Sequence, residues 1–105
     1  MNNDDLITRI NAFLRTKIKP RLQQHDQLKD VIVWVDEYKP QHKVVYLGLA
    51  LGKGTGCSPF CGCAANQLAD QIGNFLLSAF PNEVNAVVGR AILPPDDMKT
   101  AWKNA

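Results

Sequence analysis

Two stretches of strict alternation constrain this chain more than any other feature. Across Asp30–Tyr38, Val31, Val33 and Val35 point one way while Ile32 and Trp34 point the other. In the next stretch Val45, Leu47, Leu49 and Leu51 alternate with Tyr46, Gly48 and Ala50. Side chains leave a strand on alternate faces, and β-branched and aromatic residues suit its pleated surface. The polar run Lys39-Pro-Gln-His-Lys43 between them reads as a turn. Residues 30 to 52 are therefore predicted to form a β-hairpin.

The flanking segments follow a helical period instead. Leu6, Ile10, Phe13, Leu14 and Ile18 fall at i, i+4, i+7, i+8 and i+12, one apolar stripe. Asn3, Asp4 or Asp5 can cap its start, and Pro20, which lacks an amide donor, is expected to end or kink it. Ala65, Leu68, Ala69, Ile72, Phe75, Leu76 and Ala79 line one side of a second helix, which Pro81 terminates. A third strand is expected at about residues 83 to 93, carrying Val84, Val87, Val88 and Ile92. Pro94 to Met98 opens like a short last helix, with proline and acids in its first turn.

This order defines the predicted fold class: one α+β domain over residues 1–105, αββαβ(α), with a three-stranded mixed sheet and helices packed on one face. The second strand, second helix and third strand form a right-handed crossover. The opposite face is expected to be partly exposed. Either Trp34 and Tyr46, or Val31, Val33 and Val35, would then be free for a partner subunit to cover.

Composition narrows the classes. A chain of 105 residues with 46% hydrophobic content fits a single globular core. Twelve basic against ten acidic residues, a formal charge of +2, is too balanced to announce a nucleic-acid or anionic-membrane surface. Asp4 and Asp5 stand where a signal peptide carries positive charge, and the apolar run Val44–Leu51 is far too short to span a bilayer as a helix. A soluble cytoplasmic protein is expected, and in that reducing setting cysteines serve as thiols or metal ligands rather than disulfides.

All three cysteines fall in one place. Gly52-Lys-Gly-Thr-Gly-Cys-Ser-Pro-Phe-Cys-Gly62 holds four glycines and a proline, which exclude a regular element, and Cys63 follows. Cys57, Cys61 and Cys63 thus sit between a strand end and a helix start, a common position for binding sites in βαβ units. Thiolates are preferred ligands of iron–sulfur clusters and zinc, and close spacing lowers the entropy lost in gathering them. A helix N-terminus favours thiolate over thiol at Cys63. Gly54, Gly56 and Gly62 expose backbone amides able to donate to cluster sulfurs, and Lys53 adds a cation. One cysteine alone is often just a small buried apolar residue; three clustered in a glycine-rich loop argue for a ligand site.

Three thiols leave full tetrahedral coordination one ligand short. An exogenous ligand, a non-cysteine ligand or a second subunit must complete it. His25 and His42 are candidates, but both stand in polar, turn-like stretches that suit solvated histidines. Gly52-Lys-Gly-Thr-Gly56 lacks the spacing of a phosphate loop or a dinucleotide fingerprint, and no serine–histidine–acid set emerges. No enzyme activity is expected. The leading reading is a scaffold or carrier for a transient iron–sulfur cluster, with zinc as the alternative metal. The other readings are a thiol/disulfide redox protein and a metal-free interaction module.

Beyond these local patterns, Ile18-Lys-Pro-Arg-Leu-Gln23, a hairpin, a glycine–cysteine loop, a helix and Asn82-Glu-Val-Asn-Ala-Val-Val88 together resemble the NifU C-terminal domain. Thr55-Gly-Cys57 and Pro94-Pro95 resemble the related SufT/PaaD-type assembly domains. The resemblance spans roughly residues 5 to 98. The NifU-type Cys-x-x-Cys maps its second cysteine onto Cys63; Phe60 stands at the first position and Cys61 one residue later. The SufT/PaaD-type cysteine maps onto Cys57. The resemblance implies assembly or delivery of an iron–sulfur cluster, often by a homodimer, with client or assembly proteins as partners and no substrate turnover.

Overall fold

Leu6, Ile10, Leu14, Ile18 and Leu22 are all buried, and their four-residue repeat shapes the helix that carries them. An α-helix turns once in 3.6 residues, so each step of four overshoots by about 40° and the line drifts off the core. In the computed structural model, which describes residues 3–51 and 62–105, α1 (Asn3–Phe13) gives way to a π-helical segment, Leu14–Ile18. Then α2 (Lys19–Gln23) resumes the regular pitch. The wider i→i+5 turn, seen where Lys19 N–H donates to the Leu14 carbonyl, winds back the drift.

Pro20 supplies a second cause for the π segment. Proline cannot donate to the carbonyl four residues earlier, and in a regular helix its ring collides with that carbonyl. The disturbance expected at Pro20 is a local widening just before it. It does not end the helix, and one unbroken arm runs from residue 3 to residue 23.

The sheet has the order β1 (Ile32–Lys39), β2 (Val44–Ala50), β3 (Ala86–Ala91). β1 and β2 form the predicted antiparallel hairpin, while β2 and β3 run parallel and are joined through α3 (Gly62–Ala79). A bulge sets Asp36 and Glu37 of β1 against the single residue Tyr46 of β2. Uninterrupted alternation would turn Glu37 toward the core. The bulge turns Tyr38 inward instead, to pack on the core and donate its hydroxyl to the Glu83 carbonyl at 2.6 Å.

One face of the sheet carries Val33, Val35, Val45, Leu47 and Leu49, all buried, and meets both the arm and α3. At the β1 edge the Val35 amide donates to the buried Asn11 side chain at 2.8 Å, which satisfies a group the sheet leaves unpaired. At β3 the helix comes closer still. A Cβ on Gly89 would lie 2.7 Å from both the Ala65 carbonyl oxygen and the Ala69 Cβ. β3 is shorter than predicted because the Glu83 and Val84 amides bond back to the Phe80 carbonyl and prolong the turn after α3. Phe75, predicted on the apolar side of α3, is 39% exposed; it stands at the margin of the stripe facing the arm.

The opposite face is partly exposed, as expected, with Val88 41% exposed and Tyr46 half-buried. Trp34 is only 3% exposed within the chain itself and occupies the space a Gly48 side chain would need. Val31, Val33 and Val35 lie in the core. Among the described residues, the Trp34 indole N–H finds no acceptor. Arg90 lies 4.0 Å above the Tyr46 ring and pairs with Asp36 at 2.8 Å and Glu37 at 3.3 Å. Finally, α4 (Asp96–Lys103) contacts β1, so residues 92–95 carry the chain from one sheet edge to the other. Its Trp102 joins the core. Among the described residues no helix is long and apolar enough to cross a membrane.

Two outcomes follow from this packing. Gly89→Ala should lower stability by about 1–3 kcal/mol in urea titrations, because a helix backbone rather than a flexible side chain must yield. Burial first, then the Glu83 carboxylate, holds the Tyr38 phenol above its ordinary value of 10.0. The neutral phenol is therefore favoured by folding; its contribution is full below pH 10 and lost as pH rises through the folded value. Tyr38→Phe should flatten the alkaline fall in urea midpoint relative to the wild type.

Candidate functional site

Strand directions gather several elements at one end of the sheet. Ile32 pairs with Ala50 and Leu49 with Ala91. The start of β1 and the ends of β2 and β3 therefore share this end. The turn that follows α2 leads into it and the first turn of α3 leads out of it, whereas the hairpin turn at residues 40–43 lies at the other end.

The predicted strand–helix junction is present here. The central strand β2 ends at Ala50 and the 18-residue α3 begins at Gly62, so Gly62, expected within the loop, is the first helical residue and Cys63 the second. Cys57, Cys61, Gly54 and Gly56 lie outside the described residues. The first turn of α3 contains no acidic residue. The free backbone amides of a helix start with no acid in its own first turn stabilise anionic groups such as thiolate.

The two histidines separate. His42 occupies the hairpin turn, one strand length from the junction, and six residue steps along β2 amount to about 20 Å. His25 follows α2 on the junction side and lines a pocket with Leu68 and Gln71 of α3. Among the described residues no group of three or more His, Cys, Asp and Glu side chains gathers to hold a metal ion.

Lys19 is a structural element of this end that the sequence pattern did not reveal. It is buried, and its ammonium donates to the carbonyls of Trp102 and Ala105, the latter at 3.2 Å. It also lies 5.8 Å from the Trp102 ring centroid. The last carbonyls of α4 lack partners within their own helix, and Lys19 supplies a charged donor to them. Its partners stand more than eighty positions away in the chain, so no local pattern marks it.

The chain matches no known protein-family model, no curated protein and no solved structure.

Replacing Lys19 with methionine keeps the apolar stem but removes the charged donor. The variant should lose about 1.5–3 kcal/mol, the range for hydrogen bonds from a charged group. Hydrogen exchange at the α4 amides should accelerate more than exchange in β2.

Proposed function

We propose that this chain carries an iron–sulfur cluster on the thiolates of Cys57, Cys61 and Cys63 and passes it to a client protein without turning over a substrate. The observation that carries the reading is the junction itself. The only three cysteines of the chain fall between the end of the central strand β2 and the first turn of α3.

The donor set fits the cargo: thiolates are the preferred ligands of such clusters. Glycines at 54 and 56 keep side chains away from the backbone amides, and amides can donate to cluster sulfurs. Three thiolates per chain suit a cargo that must leave, because the incomplete set accepts an outside ligand. Two copies contributing two thiolates each would also complete a shared site as a homodimer. His42 lies in the hairpin turn, at the end of β2 away from the start of α3.

Anaerobic reconstitution with ferrous iron and sulfide tests the reading. Folded wild-type protein should bind iron and sulfide in comparable amounts and gain visible absorption. Cys63→Ser and Cys61→Ser should lose most of both, while His42→Ala should keep them. Folded protein that gains no cysteine-dependent cluster would overturn the proposal. So would freshly isolated protein holding tight zinc that cluster assembly does not displace, or one that only cycles between dithiol and disulfide.

A further inference from the structure

A groove between the arm and α3 carries an inference that does not depend on the cysteines. Its deeper part encloses about 210 Å³. Leu22 and Leu68 form apolar walls, Arg21, His25 and Gln71 supply polar groups, and Phe75 closes one side. The groove continues past Phe13 and Lys17 as a wider, open channel. Arg21 and Phe75 line both parts, with the guanidinium 4.6 Å from the ring centroid.

The charge along this groove has one sign. Lys17, Arg21 and His25 recur at four-residue intervals, the same spacing as the apolar stripe. No aspartate or glutamate lines either part, and the single charged residue of α3, Asp70, does not face it. Phe75 is 39% exposed at the edge of this groove, beneath the Arg21 guanidinium.

We infer that the groove binds an acidic peptide segment of a partner protein. The deeper part, below the roughly 300–1,000 Å³ of small-molecule sites, accommodates one large apolar side chain rather than a whole cofactor. The open channel then follows the arm, where carboxylates of the peptide meet Lys17, Arg21 and His25. An apolar anchor flanked by acids matches this combination, as helix-in-groove recognition requires. The Arg21 guanidinium already covers Phe75, so the ring is not free to stack a base, and two cations, Lys17 and Arg21, give only a weak polyanion track.

The test uses a set of fluorescein-labelled twelve-residue peptides rich in glutamate, with one tryptophan placed at successive positions, followed by anisotropy titration of the full chain. At least one member should bind, with affinity falling as salt rises. Replacing its glutamates with lysine, or its tryptophan with alanine, should abolish binding. Arg21→Glu and Lys17→Glu alter exposed side chains and should each weaken binding at least about tenfold with the fold intact by circular dichroism. Lys39→Glu, on the opposite sheet face beside Tyr46, should leave it unchanged. The inference is overturned if no acidic peptide binds, if acidic and basic peptides bind alike, or if Arg21→Glu and Lys39→Glu weaken binding equally. Tighter binding of a twelve-residue oligothymidylate that displaces the peptide would also overturn it.

Discussion

The close approach of α3 to β3 at Gly89 governs how the rest of this chain is arranged. With no side chain there, the Ala65 carbonyl and the Ala69 methyl occupy space that any other residue would fill. The helix thus lies low on the sheet and covers the β2–β3 half, leaving the β1 half to the N-terminal arm. Two helical bodies then bury a single face, and Leu47 and Leu49 at its centre are fully shielded. Because β2 and β3 run parallel, their connection must return the length of the sheet. That return is α3; Cys57 and Cys61 precede it in the sequence and Cys63 stands in its first turn.

The arm meets a different constraint, one of period. A line of apolar residues every four positions cannot stay on one face of a regular α-helix, and the π segment resolves the conflict just before Pro20. Lys17, Arg21 and His25 share the spacing, so the adjustment that keeps leucines in the core also aligns cations beside α3. A second result is the placement of Lys19 opposite the last turn of α4. One backbone irregularity thus serves core packing, groove charge and the anchoring of the final helix.

The element order was legible because each segment states its period plainly: alternation at Val31–Val35 and Val45–Leu51, helical stripes at 6–18 and 65–79. What local pattern could not convey is long-range geometry. Glu37 and Tyr38 change places through a bulge that no residue type demands. Phe75 belongs arithmetically to the stripe of α3, yet the arm covers its ring with the Arg21 guanidinium rather than with apolar side chains, and it stays 39% exposed. Trp34 looked like an exposed aromatic awaiting a partner, but an absent side chain at Gly48 makes room for it within the chain. Of the candidate site, the strand–helix junction was readable from the glycine break, and Cys63 takes its expected place at the helix start. The distance of His42 followed only from strand direction, since sequence separation says nothing of which sheet end a turn occupies.

The opposite sheet face bears on how two copies could share a cluster. Its large aromatic is already buried, and Tyr46 is roofed by Arg90, which Asp36 and Glu37 hold in place. Exposed ion pairs of this kind contribute little to stability, typically about 0–1 kcal/mol. They do set the polarity of the surface: docking there would require desolvating three charged groups for a modest apolar gain at Val88. A dimer built on that face would therefore be weak. In the carrier reading, two copies meet more economically at the junction, where shared thiolates supply the attraction and the pair comes apart when the cluster leaves. That ties the partnership to the cargo, a property a delivery protein needs and a permanent sheet-to-sheet interface would deny it.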